Sequence, residues 1–357
     1  MGFYRQAIHT WEKKLAARDR NRVVHPFEWG LEWLEEPVRL GNNGMNGEEA
    51  ARRLLEHSQS ALASSDQYFS YRRPSDFRLR NGQLLFSSPL PGPYKENNTV
   101  HARFLPARKS RRAVVLLPQW NADKNGHVGL GRMLNWFGIT ALRMSLPYHD
   151  DRMPAGLERA DYHVSSNVGR TIHACRQAVV DARACLDWLA GQGYETLGIL
   201  GSSLGSSIAL LVVAHDPRIR AAVFNHISTY FSDVVWTGIS TRHVRAGLEQ
   251  QLTLEELRRY WSVISPAPYL DRLAGRDVRS LLIWARHDLS FLPKYSRQAL
   301  AQCRRRGLDH RVLAIPCGHY TMGRAPFKYI DGWSMSWFLH RNLRDESGPE
   351  GDSPGAA

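Results

Sequence analysis

Hydrophobic residues follow two rhythms along this chain. Short continuous apolar runs occur at Ala113-Val-Val-Leu-Leu-Pro118 and at residues 140–145, 197–200, 220–224, 279–285 and 311–315. Runs of that length, bounded by polar residues, read as strands buried on both faces. Between them, apolar residues recur every three or four positions. The clearest such stretch places Val168, Ile172, Cys175, Val179, Ala182, Leu186 and Leu189 on one helical face, with Gly191 and Gly193 ending the helix after Ala190. Other helices are expected at 127–137, after Leu204, at 293–306 and from Phe327, where Phe327, Ile330, Trp337 and Phe338 read as the buried stripe. Strand and helix in alternation build a mostly parallel central sheet with helices on both faces, an α/β fold. Ahead of the alternation, residues 77–86 around the Asn81-Gly82 turn and 99–105 read as short strands.

Two segments break the rhythm. Residues 1–70 carry Trp11, Phe27, Trp29, Trp33 and Leu34 among charges, then an Asn42-Asn43-Gly44-Met45-Asn46-Gly47 turn and a helix at 48–63. They form a helical N-terminal extension docked by its tryptophans on the main domain, residues 71–343. Within that domain the alternation pauses at about 228–274. A capping-box pattern, Thr253-Leu-Glu-Glu256, starts a helix there, and the segment reads as an inserted lid. Its aromatics Tyr230, Phe231, Trp236, Tyr260 and Trp261 are expected mainly to stack on one another as a small cap core, with the lining of a substrate pocket as their competing use. Residues 344–357 are too polar and glycine-rich to fold.

At 357 residues, 43% hydrophobic and 23% charged, the chain suits one large domain with insertions. It has no apolar run of about eighteen residues to span a bilayer, and its N-terminus lacks a signal-peptide core. The expectation is a soluble, cytoplasmic protein. A peripheral membrane contact through residues 3–20 is the competing use of their aromatic and basic residues, but Glu12 and Asp19 favour docking on protein. Cys175, Cys185, Cys303 and Cys317 show no paired spacing, which points to a reducing compartment and suggests no metal site; no cofactor motif is present. The net charge of +13 is spread over short groups, Arg72-Arg73, Arg108 to Arg112 and Arg304 to Arg306, without the aromatic interleaving of a nucleic-acid groove. Nucleic acid is not an expected partner; an anionic small molecule is compatible. Oligomeric state is not indicated.

The candidate chemistry sits where one strand run turns abruptly into a helix, at Gly201-Ser202-Ser203-Leu204-Gly205. Glycines on either side let strand and helix approach closely and put Ser203 at the exposed tip of a strained turn, leaving Ser202 as a turn residue. Gly-x-Ser-x-Gly alone also describes an ordinary capped turn. Two further residues change the weighing. Asp288 follows the strand Ser280-Leu-Leu-Ile-Trp-Ala, and His319 follows Arg-Val-Leu-Ala-Ile-Pro. A serine hydroxyl needs a base to take its proton and a carboxylate to orient that base. In a parallel sheet the carboxyl ends of the strands face one crevice, so Ser203, Asp288 and His319 can converge there. His287 competes as base but adjoins the acid and reads as a surface or supporting histidine; the strand ending in Asn225-His226 offers no carboxylate before Asp233. For a carbonyl oxygen that gains charge, the backbone amides of Leu204 and of Trp120, with Gln119 as alternative, are the expected donors; Pro118 has none to give. The loop from Tyr148 and His149 to Arg152 ends another strand at this crevice and is a candidate substrate contact.

With those residues assembled, the chain resembles the α/β-hydrolase superfamily, and more narrowly the alpha/beta hydrolase domain-containing protein 18 family. The likeness runs from about Asp66 to His340. It rests on the Asn81-Gly82 turn with Phe86-Ser87-Ser88-Pro89 before Val100-His-Ala-Arg-Phe, on Leu142-Arg-Met-Ser-Leu-Pro147-Tyr148, and on Tyr194-Glu-Thr-Leu-Gly-Ile-Leu-Gly-Ser-Ser-Leu-Gly. It departs at Ser206, where a glycine usually follows the elbow, and at Pro118-Gln119 in the oxyanion loop. The resemblance implies that Ser203, Asp288 and His319 form the triad, that the amides of Leu204 and Trp120 bind the oxyanion, and that the reaction is acyl hydrolysis. The expectation is a serine hydrolase acting on a small carboxylic ester, hydrophobic or anionic, through a covalent acyl-enzyme; peptidases and thioesterases share such a site. The rival is a non-catalytic protein of the same fold that binds a partner or membrane.

Overall fold

The computed structural model describes residues 2–40 and 46–344. The turn expected from Asn42 to Met45 and the tail expected to stay unfolded beyond Arg344 lie outside them.

Among the described residues nine strands form one sheet: β1 (Arg78–Arg80), β2 (Gln83–Ser87), β3 (Thr99–Leu105), β4 (Arg112–Leu117), β5 (Thr140–Met144), β6 (Thr196–Ser202), β7 (Ile219–Asn225), β8 (Arg279–Ala285) and β9 (His310–Ile315). Their spatial order is β1-β2-β3-β5-β4-β6-β7-β8-β9. The first three pair antiparallel and β3 meets β5 antiparallel; every pair from β5 to β9 is parallel. Each strand expected from its apolar run is present, shifted by a residue or two at the ends. The chain steps one way from β4 to β5 and the other way from β6 onward. The order therefore reverses beside β4, and the crevice outside the carboxyl ends of β4 and β6 lies at that switch point.

Alternation along β4 divides the core. Ala113, Val115 and Leu117 face a cluster built on the helices Val168–Gly191 and Leu204–His215. Val114 and Leu116 face a second cluster with Leu134, Phe327, Phe338 and Leu339. The helix Val168–Gly191 is buried on nearly every side, including polar Thr171, His173, Gln177 and Asp181. One reason is that the N-terminal segment crosses its first turn: the amides of Val168 and Gly169 donate to the carbonyls of Glu28 and Trp29, and a Cβ on Gly169 would lie 1.9 Å from the Gly30 oxygen. Deeper in, Asp181 pairs with Arg152 at 2.8 Å with neither side chain exposed.

The segment 228–274 is helical, and Thr253 and Glu256 form the expected capping box. Its aromatics are used in packing: Phe231 meets Trp261 edge-on, and the Trp261 indole donates to the Val168 carbonyl at 3.1 Å.

One expected stripe is corrected. In the last helix, Phe327–Asn342, Phe327 and Phe338 are buried as expected, but Ile330 and Trp337 are 46% and 44% exposed. The inward face runs through Asp331, Met335, Phe338 and Leu339 instead. Asp331 turns inward because Asn225 at the end of β7 donates to its carboxylate at 2.8 Å, a partner that hydrophobic periodicity cannot register.

Candidate active site

Ser203 follows β6 with φ 54° and ψ −117°, a backbone conformation that a side-chain-bearing residue adopts only under constraint. The constraint comes from two close approaches. A Cβ on Gly201 would sit 2.0 Å from the Gly205 carbonyl oxygen, and one on Gly205 would sit 2.2 Å from that of Leu117. Only hydrogen fits at either position, so the elbow needs both glycines. Ser203 N donates to the Asn225 carbonyl at 2.8 Å, while Ser206 Oγ donates to the carbonyls of Ser203 and His226 at 2.7 Å each. The serine that replaces the usual small glycine thus ties the elbow to β7. Ser202 pairs with His127 at 2.9 Å.

Ser203 Oγ lies 3.2 Å from His319 Nε2, and His319 Nδ1 lies 3.2 Å from Asp288 Oδ2. Asp288 is fully buried. Its Oδ1 accepts the amides of Ser290 and Phe291 at 2.7 and 2.8 Å, and its Oδ2 also accepts from His226 Nδ1 at 2.9 Å. Burial disfavours the charge on Asp288, yet the positive field of His319 and the bonds from both histidines hold its carboxyl well below the ordinary range. An ionised carboxylate has no proton to give, so both Nδ1 atoms carry hydrogen and His319 Nε2 is left as acceptor toward Ser203. Burial works against a charged imidazole at His319, but the charge and hydrogen bond of Asp288 outweigh it and raise its pKa. At His226 burial wins, reinforced by the neighbouring His319, and its pKa is lowered.

His226 is the residue that a sequence reading passes over. It ends a strand at the same crevice, the rule that found Asp288 and His319, but a search of that strand end for carboxylates misses a second histidine on the acid. Glu12 is a second omission. It is buried on the helix Phe3–Ala16 and accepts the amides of Tyr320 and Thr321 at 3.1 and 2.7 Å, fastening the turn that carries His319. His287 stays off the serine, half-buried against the rings of Tyr4 and His9.

Beside Ser203 opens a cavity of about 710 Å³, lined by Gln119, Trp120, Ser202, Asn225, His226, His319 and Tyr320 on its polar side and by Leu130, Met133, Tyr329 and Met335 on its apolar side. The loop after β4 stands at its edge. Asn121 N donates to His149 Nε2 at 3.0 Å, while His149 Nδ1 donates to the Pro147 carbonyl at 2.9 Å. That leaves Gln119 and Trp120 as the loop's candidate oxyanion amides beside Leu204. The Trp120 ring is pinned by its indole bond to the Ala160 carbonyl at 3.0 Å and by stacking on His243. Tyr148 and His149, expected at the substrate, are buried at 0% and 1% exposure behind this loop and are absent from the cavity lining. His149 braces the loop instead, and burial lowers its pKa to about 4, keeping it the neutral acceptor that the Asn121 amide requires.

The strand order, the elbow at the switch point and the helices on both faces decide the architecture. The fold is that of the α/β-hydrolases. Its solved neighbours include an acylaminoacyl peptidase from Pyrococcus horikoshii (TM-score 0.56, 13% identity, 78% of this chain against 43% of that one). An acetyl xylan esterase from a Paenibacillus species gives a TM-score of 0.56 at 13% identity, over 81% of this chain and 94% of that one. An esterase from Pyrococcus furiosus gives 0.51 at 12%, over 78% and 95%. The chain thus spans under half the length of the peptidase. No family model matches it, and no curated protein does. Among the described residues no helix is long and apolar enough to cross a membrane.

Proposed function

We propose that the protein is a serine hydrolase that cleaves a carboxylic ester through a covalent acyl-enzyme, with Ser203 as nucleophile, His319 as base and Asp288 as its orienting acid. The observation that carries this reading is the unbroken relay Ser203 Oγ to His319 Nε2 and His319 Nδ1 to Asp288, with 3.2 Å at each link. His319 Nε2 takes the hydroxyl proton as Oγ bonds to the substrate carbonyl carbon. The oxygen of the tetrahedral intermediate then lies against the amides of Leu204 and Trp120. His319 passes the proton to the departing alcohol oxygen as that C–O bond breaks. It then deprotonates water for attack on the acyl group and returns the proton to Ser203.

The mixed cavity supports a small-molecule ester with an apolar portion, and the activities of the structural neighbours, esterase and peptidase, agree with acyl transfer at the level of the fold. On this reading the segment 228–274 is a cover beside the strand ends and residues 1–70 are an extension that secures His319. The narrower kinship with the alpha/beta hydrolase domain-containing protein 18 family rests on the motif stretches quoted above and finds no support in the family comparison. The rival, a binding protein with an inert triad, does not account for a strained serine held in register with its base.

A fluorophosphonate probe tests the assignment. It should label the wild type at Ser203 and leave Ser203→Ala unlabelled; equal labelling of both would refute the nucleophile.

A further inference from the structure

The helices Val128–Trp136 and Phe327–Asn342 pack against each other; their inner sides contribute Leu130, Met133 and Met335 to the cavity wall, and Tyr329 stands at its rim. Their outer sides carry the surplus of apolar surface. Trp136 is 82% exposed, Tyr329 60%, Trp333 56%, Ile330 46% and Trp337 44%. All three strongly exposed tryptophans among the described residues belong to this pair. Ile330, Trp333, Trp337 and Arg341 recur at intervals of three and four, so they form one stripe along the last helix. The rings are ordered against one another: Phe137 meets Trp333 edge-on at 5.3 Å, and Trp333 stacks on Trp337 at 6.4 Å and 7°.

Cations flank the stripe. The next side of the same helix, with Ser334, Phe338 and Arg341, joins Arg279 of β8 and Arg311 of β9 around a cavity of about 320 Å³. A smaller hollow beside it adds Asp309, the one carboxylate there. Arg279, Arg311, Arg341 and Arg132 are exposed, and none is ion-paired with a described residue. The two helices bear one carboxylate between them, Asp331, and it is buried. Indole rings are favoured where one side is apolar and the other wet, and arginines bind phosphate bidentately.

We propose that this face docks on the surface of an anionic phospholipid bilayer, with the tryptophans entering the headgroup region and the arginine groove taking lipid phosphate. Charge selects this occupant over a second copy of the chain. A two-fold pair would set unpaired arginines against arginines in a protein of net charge +13, whereas an anionic leaflet complements them. The surface is distinct from the helix Phe3–Ala16, which commits Ile8, Glu12, Leu15 and Ala16 to the protein itself. Because the inner sides of the same helices wall the cavity, docking would bring the Ser203 cavity beside the lipid surface.

The test is co-sedimentation of the full chain with vesicles of phosphatidylcholine and phosphatidylglycerol in a three-to-one ratio, compared with phosphatidylcholine alone. Binding should require the anionic lipid and weaken with salt. Replacing Arg279, Arg311 and Arg341 together by Gln should lower vesicle affinity about a hundred-fold, at about five-fold per cation. Replacing Trp136, Trp333 and Trp337 by Ser should lower it about ten-fold or more and abolish quenching of tryptophan emission by brominated lipid. Both sets are exposed and outside the Ser203 cavity, so thermal midpoints and hydrolysis of a water-soluble ester should not change. Inorganic phosphate that blocks vesicle binding only at concentrations where sodium chloride does so too marks the membrane, not the free ion, as ligand. No sedimentation at low ionic strength, variants that bind like the wild type, or a dimer dissolved by the tryptophan substitutions would each overturn the proposal.

Discussion

Replacing Asp331 by asparagine should remove a large part of the protein's stability change between mildly acidic and alkaline pH. Asp331 is 7% exposed, and its Oδ2 accepts the Asn225 side chain at 2.8 Å. Its Oδ1 and the Asn225 Oδ1 both lack a partner. Burial pushes its carboxyl from 3.8 up to about 7, against the smaller downward effect of the Asn225 bond. Protonation supplies the one donor that can serve the orphan oxygens, closing the acid and the amide into a two-bond pair. A folded pKa above the unfolded one means stabilisation that is complete below pH 3.8 and lost as pH rises through about 7. The shift corresponds to about 4 kcal/mol in all, most of it, about 3 kcal/mol, between pH 5 and pH 8. An amide in place of the acid keeps the two-bond geometry and cannot ionise.

The assay is urea unfolding of wild type and Asp331→Asn at those two pH values. Histidines titrate in the same window, but they are common to both proteins and cancel in the double difference, which should be about 2 to 3 kcal/mol, with the variant relatively more stable at pH 8. Parallel pH profiles for the two proteins would refute the reasoning. Because the Asn225 carbonyl also receives the Ser203 amide, the ionisation bears on the elbow as well as on the core.

Two further outcomes follow from the same site. Glu12→Ala should cost about 2 to 4 kcal/mol in urea unfolding, because the half-buried amide of Tyr320 and the buried amide of Thr321 both lose their acceptor; Glu12→Gln, which retains one carbonyl oxygen, should recover about half, and unchanged midpoints would show that the extension does not secure His319. The acid limb of kcat/KM should lie above the ordinary histidine value of 6.5, since His319 must be neutral to accept a proton and Asp288 raises its pKa; Asp288→Asn should move the limb down, as burial then prevails, and cut kcat about 10⁴-fold, so a limb that stays in place would contradict the pairing.

What was legible in the sequence was what local rules encode. Buried strands announce themselves as continuous apolar runs, and Gly201 and Gly205 announce an elbow because close backbone approach admits no other residue. The topology that follows places Ser203, Asp288 and His319 at one end of the sheet without reference to their contacts. Residues whose place depends on a distant polar partner leave no such trace. Asp331 points inward only because Asn225, more than a hundred positions earlier, donates to it. Glu12 belongs to a helix that by pattern is merely amphipathic, and His149 reads as a loop residue until Asn121 is seen to need its nitrogen.

The same inversion exposes Ile330 and Trp337: once a carboxylate occupies the inner face, the apolar residues on either side must turn outward, and hydrophobic periodicity assigns them to the core in error. The cost of burying Asp331 and the cost of exposing the indoles are thus two consequences of one helix orientation. A helix set that way leaves its aromatic stripe uncovered by any described residue, while the inner carboxylate ties it to Asn225 and, through the Asn225 carbonyl, to the amide of Ser203.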